Sequence, residues 1–146
     1  MRHPADRLAA LPDSGFASFV ERLGRVWPAF DATVSPVTPE GTVELSLTRD
    51  RPDAPPERAV VRVTRASVSI EDVNDLAAFA AERGLSFAVL ATVDEVDPDA
   101  ARRARTAPIE VYDGVGLVGL AREADVSLPQ PESGGSDASD PGDDSD

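Results

Sequence analysis

The sequence predicts an α/β domain in which helices flank a mixed β-sheet. Three observations predict it: an amphipathic helical period near the start, alternating β-branched strands in the first half, and a strand–helix–strand–helix–strand order in the second. Strands that follow one another directly pair antiparallel, whereas strands separated by helices pair parallel, so the order demands a sheet of both kinds. A length of 146 residues, 41% of them hydrophobic, suits one core.

The elements follow in chain order. Phe16, Phe19, Val20, Leu23 and Val26 recur at three- and four-residue steps, which predicts a helix over about 14–26 with Asp13 or Ser14 as its cap. A strand over Phe30–Val37 is interrupted by Pro36. Thr42–Thr48 alternates cleanly, so Val43, Leu45 and Leu47 point to the core while Glu44 and Ser46 point to the other side. Pro52, Pro55 and Pro56 predict a loop over Arg49–Arg58. The run Ala59–Arg65 is a β-branched strand, and Ile70–Arg83 is a helix capped by Ser69 and stopped at Gly84. Leu85–Val93 is nearly continuously apolar, as a strand covered on both faces must be. Asp97-Pro98-Asp99 opens a helix to about Thr106, Ile109–Tyr112 is a strand, Asp113-Gly114 a turn, and Val115–Ala121 a final short element.

Composition narrows the chemistry. With no cysteine, thiolate catalysis, disulfides and cysteine-bound zinc are excluded. A single histidine, His3, cannot build a triad or a multi-histidine metal site. No apolar run reaches the roughly 18 residues of a membrane helix and the first residues lack a signal-peptide core, so the expected location is cytoplasmic. All 14 basic residues are arginine, set against 27 acids, for a formal charge of −13. This lysine-free, Asp-rich usage resembles that of proteins from salt-loving archaea. At ~1 M salt the Debye length is about 3 Å, so net charge repels DNA little and counterion release adds little affinity. Acidity therefore decides neither for nor against DNA. From Leu128 the chain turns to Pro, Ser, Gly and Asp, which predicts a disordered acidic tail over 128–146 that acts as a solvating extension behind a folded domain at 14–122.

Four local signatures resemble the Mrr-type catalytic domain of the restriction-endonuclease-like fold. Phe16, Phe19, Val20 and Leu23 resemble the family's "FE-x-L-V-x-x-L-L" helix, and Pro39-Glu40-Gly41-Thr42-Val43-Glu44-Leu45 stands where the family has "G-D-G-G-V-D-I". Val61-Arg62-Val63-Thr64-Arg65 takes the place of its "V-Q-x-K-R" strand. Asp97-Pro98-Asp99-Ala100 through Ala104, then Ile109–Gly114 with Leu117 and Leu120, resembles "F-S-x-x-A-x-x-A … I-x-L-I-D-G-x-x-L-x-x-L".

The resemblance implies a nuclease that holds Mg²⁺ with hard oxygen ligands and sets a lysine beside the attacking water. Residue by residue, Glu44 matches the aspartate, Arg62 the glutamine or glutamate, and Thr64 the lysine, while Ala17 stands where the first helix often offers an acid. A guanidinium cannot ligate Mg²⁺ and repels it, and a threonine brings no positive charge. Arg62 is therefore expected to pair with Glu44 across neighbouring strands, and strand alternation turns Arg65 away from Thr64. The expected function is that of a catalytically degenerate domain retained to bind DNA or a partner protein, with no small-molecule cofactor. The alternative is a salt-adapted, Mg²⁺-dependent DNA endonuclease whose metal is held by Glu44 with a migrated group such as Glu40, an arginine standing in for lysine.

Other groupings have plainer readings. The acids Asp94, Glu95, Asp97 and Asp99 lack the glycine and final glutamate of a calcium loop and read as capping and solvation. Arg102, Arg103 and Arg105 decorate an exposed helix face, and Trp27 with Phe30 closes the core. Gly114-Val115-Gly116 is read as no phosphate-cradling loop, on the expectation that no helix start and no third glycine at the needed step follow it, and Ser14-Gly15 and Ser133-Gly134 have no histidine partner for hydrolase chemistry.

Overall fold

The computed structural model describes residues 4–126; the tail expected over 128–146 and His3 lie outside the described residues. Five strands, β1 (Asp31–Val34), β2 (Thr42–Arg51), β3 (Ala54–Thr64), β4 (Phe87–Thr92) and β5 (Glu110–Tyr112), form one sheet in sequential order. The pairs β1–β2 and β2–β3 are antiparallel, whereas β3–β4 and β4–β5 are parallel. The mixed α/β sheet expected from the sequence is thus the observed architecture.

Helices cover both faces. On one face α1 (Pro4–Ala9), α2 (Asp13–Leu23) and α5 (Gly114–Glu123) pack on Val43, Leu45, Leu47, Val61 and Val63. On the other, α3 (Ile70–Arg83) and α4 (Pro98–Ala104) pack on Val60, Ala88 and Leu90. Crossovers between parallel strands are nearly always right-handed, which sends both intervening helices to the same side of the sheet, and α3 and α4 do share one core. Sandwiched between the two layers, β4 is buried from Ala88 to Thr92, which is why its sequence is apolar without alternation. Trp27 stacks on Phe87 at 5.8 Å and Phe30 meets the same ring edge-on at 5.7 Å, closing one end of the larger core.

Three expectations need correction. The stretch 49–58 is a β-hairpin, not a loop: β2 and β3 continue outward and turn at Pro52-Asp53, with Arg51 opposite Ala54. The prolines are tolerated because β4 begins only opposite Ala59, so β3 has a single neighbour at Pro55 and Pro56, and the register slips between Arg49 and Arg51. Arg51 donates through Nε and Nη2 to the Pro55 carbonyl, and Arg49 pairs with Glu57, whose carboxyl that bond holds below the usual range. Second, neither Asp13 nor Ser14 caps α2. Pro12 is the cap residue, and the Asp13 carboxylate instead takes Arg65 Nη1 at 2.9 Å. A short 3₁₀ turn over Gly24–Val26 replaces the last predicted turn of that helix, and α1 was not foreseen at all. Third, Asp113-Gly114 is the start of α5 rather than a free turn, Asp113 capping it by accepting the Gly116 N–H at 2.9 Å.

Helix α3 begins and ends where the sequence places it. Ser69 Oγ accepts the Asp72 N–H at 3.3 Å and Asp72 Oδ2 accepts the Ser69 N–H at 2.9 Å, while Gly84 stops the helix at a φ of 63°. Because that box sets where α3 lands on the sheet, Ser69→Ala is expected to lower the unfolding free energy by about 1 kcal/mol, read by urea denaturation. On β5, Tyr112 donates its phenol to Glu110 Oε1 at 2.6 Å, and this bond, followed by burial, pushes the phenol up to about 12. A raised tyrosine pKa favours the neutral form, so its contribution to stability is complete below the ordinary value of about 10 and is lost as pH rises through about 12. Tyr112 is the only tyrosine, so ultraviolet titration follows it directly; Glu110→Ala is expected to move its midpoint down toward the ordinary value.

Candidate functional site

Antiparallel register brings Glu44 of β2 directly opposite Arg62 of β3, with Thr42 opposite Thr64. All four project from the sheet face that α3 covers, since their odd-numbered neighbours Val43, Leu45, Val61 and Val63 fill the opposite core. Arg62 Nε donates to Glu44 Oε1 at 3.1 Å, and the two side chains are only 25% and 32% exposed. The guanidinium carbon of Arg62 also lies 4.8 Å from the centroid of Phe79 on α3. Arg83 sits 5.0 Å from the same ring, so one aromatic face-bearing residue serves two cations.

Thr64 is almost fully buried, at 8% exposure, and its hydroxyl is committed to neighbours. Thr42 Oγ1 lies 3.1 Å from Thr64 Oγ1, which also accepts the Ala66 N–H at 3.2 Å. Thr92, level with Thr64 on β4, donates to the Ala66 carbonyl at 2.6 Å, and Val68 pairs in parallel with Val96 just beyond the strand ends. These bonds fasten the loops at the carboxyl ends of β3 and β4. A cleft of about 340 Å³ opens there, lined by Glu40, Thr42, Arg62, Thr64, Asp72 and Asp75 among others. Arg65, one residue on, faces away: its guanidinium lies 4.5 Å over Phe16 and binds Asp13 and the Leu11 carbonyl on the α2 side.

The structure therefore gathers Glu44, Arg62 and Thr64 at one end of one sheet face, with Glu40 on the rim of the adjoining cleft. Ala17 lies on α2, on the other face, and adds nothing to this group. These residues do not suit a divalent cation. Mg²⁺ requires several converging oxygens without competing positive charge, whereas Glu44 is already held by a guanidinium. Among the described residues, no three histidine, aspartate or glutamate side chains converge as a metal site.

The remaining candidates separate. Asp94, Glu95, Asp97 and Asp99 are all exposed, and Asp99 pairs with Arg102. Arg103 donates to Asn74 at 2.7 Å, leaving Arg105 in a groove beside Tyr112 and Glu110, so the three arginines form no common cation row. The glycine pattern is fuller than expected: Gly119 completes G-x-G-x-x-G behind β5, at the opening of α5. It still makes no phosphate cradle, because the Asp113 carboxylate occupies the Gly116 N–H where an anion would bind. Gly114 instead permits close packing, as a Cβ there would meet the Val93 carbonyl oxygen at 2.8 Å. Phe79 was missed by sequence reasoning. Its signal was available: it follows Leu76 by three residues on a helix returning over the strand that carries Arg62.

Comparison with known proteins agrees with this architecture. A sequence model of the restriction endonuclease family, its Mrr catalytic domain, matches residues 9–121. No curated protein matches. Among solved structures, the DNA modification-dependent restriction endonuclease AspBHI superposes with a TM-score of 0.52 at 19% identity, over 86% of this chain and 39% of that one. EndoMS in its apo form gives 0.51 at 14% identity, over 70% of this chain and 46% of its own. Such identities establish a shared fold, and the chain spans less than half the length of either protein. With its sheet order, its flanking helices and the family match across most of its length, the chain belongs to the Mrr-type restriction endonuclease family.

Proposed function

We propose that this chain is a restriction-endonuclease-fold domain that has lost metal-dependent phosphodiester hydrolysis and serves as a binding module for DNA or a partner protein. The observation that carries the reading is the Arg62–Glu44 pair: the carboxylate best placed to receive a metal already receives an arginine. Thr64 supports it. A buried threonine that bonds to Thr42 and the Ala66 N–H offers neither positive charge beside a phosphate nor a lowered pKa for a bound water. The cleft rim adds Glu40, Asp72 and Asp75, all exposed acids, and among the described residues that line it no unpaired cation that would stabilise a pentacoordinate phosphorus.

The metal-dependent alternative needs Glu44 and Glu40 to share a cation, and that requires Arg62 to leave. Breaking a half-buried pair costs more than breaking an exposed one, because it leaves a carboxylate without its partner. AspBHI, which shares this fold, is a DNA modification-dependent restriction endonuclease, and that motivates testing methylated as well as unmethylated duplex.

Purified protein with Mg²⁺ or Mn²⁺ in multimolar salt is expected to leave methylated and unmethylated plasmid uncut on agarose gels. Cleavage that disappears in Glu44→Ala would contradict the reading. Fluorescence anisotropy on labelled duplex then separates the two targets. Binding that persists in chelator and in Glu44→Ala assigns DNA, and a duplex left unbound removes DNA as the target.

A further inference from the structure

We infer that the Arg62 guanidinium is the resident cation of this site, holding the Glu44 carboxylate as a divalent ion would, so that one substitution converts the pair into a divalent-cation site. The inference rests on the reading of the domain as non-hydrolytic and goes beyond it by assigning a specific electrostatic role to position 62.

The geometry supplies the reason. Glu44 and Arg62 are directly opposed in an antiparallel ladder, where Cβ atoms lie roughly 4.5–5.5 Å apart and side chains of opposite charge stabilise each other. Arg62 is held from two sides, by the carboxylate at 3.1 Å and by the Phe79 ring at 4.8 Å, and it lines the cleft that also contains Glu40, Thr42 and Thr64. Those neighbours are hard oxygen donors of the kind a small divalent cation takes. The positive charge at 62 stands beside them, paired with Glu44. Replacing it with glutamate puts two carboxylates face to face across neighbouring strands, an arrangement that is destabilising unless a cation lies between them. An ion pair with only a structural role makes a different prediction: its loss weakens the fold, and no ion repairs it.

Thermal unfolding of the full chain distinguishes these. The wild type, Arg62→Glu and the double variant Arg62→Glu with Glu44→Ala are compared in millimolar Mg²⁺ or Mn²⁺ and in chelator, at matched ionic strength. The wild-type Tm is expected not to move. Arg62→Glu is expected to unfold earlier in chelator and to recover several degrees with either ion, and the double variant to lose that recovery. An Arg62→Glu protein that gains nothing from either ion, or a gain that survives Glu44→Ala, overturns the inference and leaves the non-hydrolytic reading standing. Should Arg62→Glu stay unfolded throughout, Arg62→Gln decides: a Mn²⁺-dependent rise in Tm that Glu44→Ala removes supports the inference, and no rise overturns it. A wild-type Tm that rises with Mn²⁺ through Glu44 overturns both this inference and the proposed function.

Discussion

The antiparallel register of β2 and β3 is the constraint on which the rest depends. Val43 faces Val63, Leu45 faces Val61 and Leu47 faces Ala59, and all six are buried in the larger core. A slip of one residue would turn this apolar set to the opposite face and bring Glu44 and Arg62 into the core, at a cost that burial of charge makes prohibitive. The hydrophobic side of the ladder thereby dictates its polar side. Glu44 and Arg62 meet because their neighbours must be buried.

That polar side then orients α3. The helix arrives with its start set by the Ser69–Asp72 box and its end by Gly84, and it brings Phe79 over Arg62. A guanidinium suits this position better than an ammonium. It is planar, weakly hydrated and always charged, so it can stack on the ring while Nε reaches the carboxylate. In a chain whose basic residues are all arginine, composition alone accounts for the absence of lysine. It does not account for an arginine at 62 and a threonine at 64. Those two placements, rather than the overall charge, carry the proposal that this domain lacks metal-dependent hydrolysis.

Most of the fold was legible in the sequence because local chemistry and tertiary demand coincide there. The alternation from Val43 to Leu47, the Ser69 cap, Gly84 and the continuous apolar run of β4 each state their structure. Prediction failed where context overrides local preference. Prolines 55 and 56 suggest a loop, yet they sit in a strand because no second neighbour requires their missing N–H groups. Asp13 resembles a cap, yet a distant Arg65 claims it. The cross-strand pairing of Glu44 with Arg62 followed from alternation and strand order, whereas the cleft rim of Asp72 and Asp75 did not, since it depends on how α3 lies over the sheet.

The central claim is that a guanidinium stands in the cation's place. It is tested most directly by crystals of the wild-type protein grown or soaked in Mn²⁺, with anomalous diffraction recorded near the manganese edge. The account predicts no anomalous peak at Glu44 and Arg62 Nε within hydrogen-bond distance of the carboxylate. A manganese ion bound to Glu44, with Arg62 turned away, would contradict it.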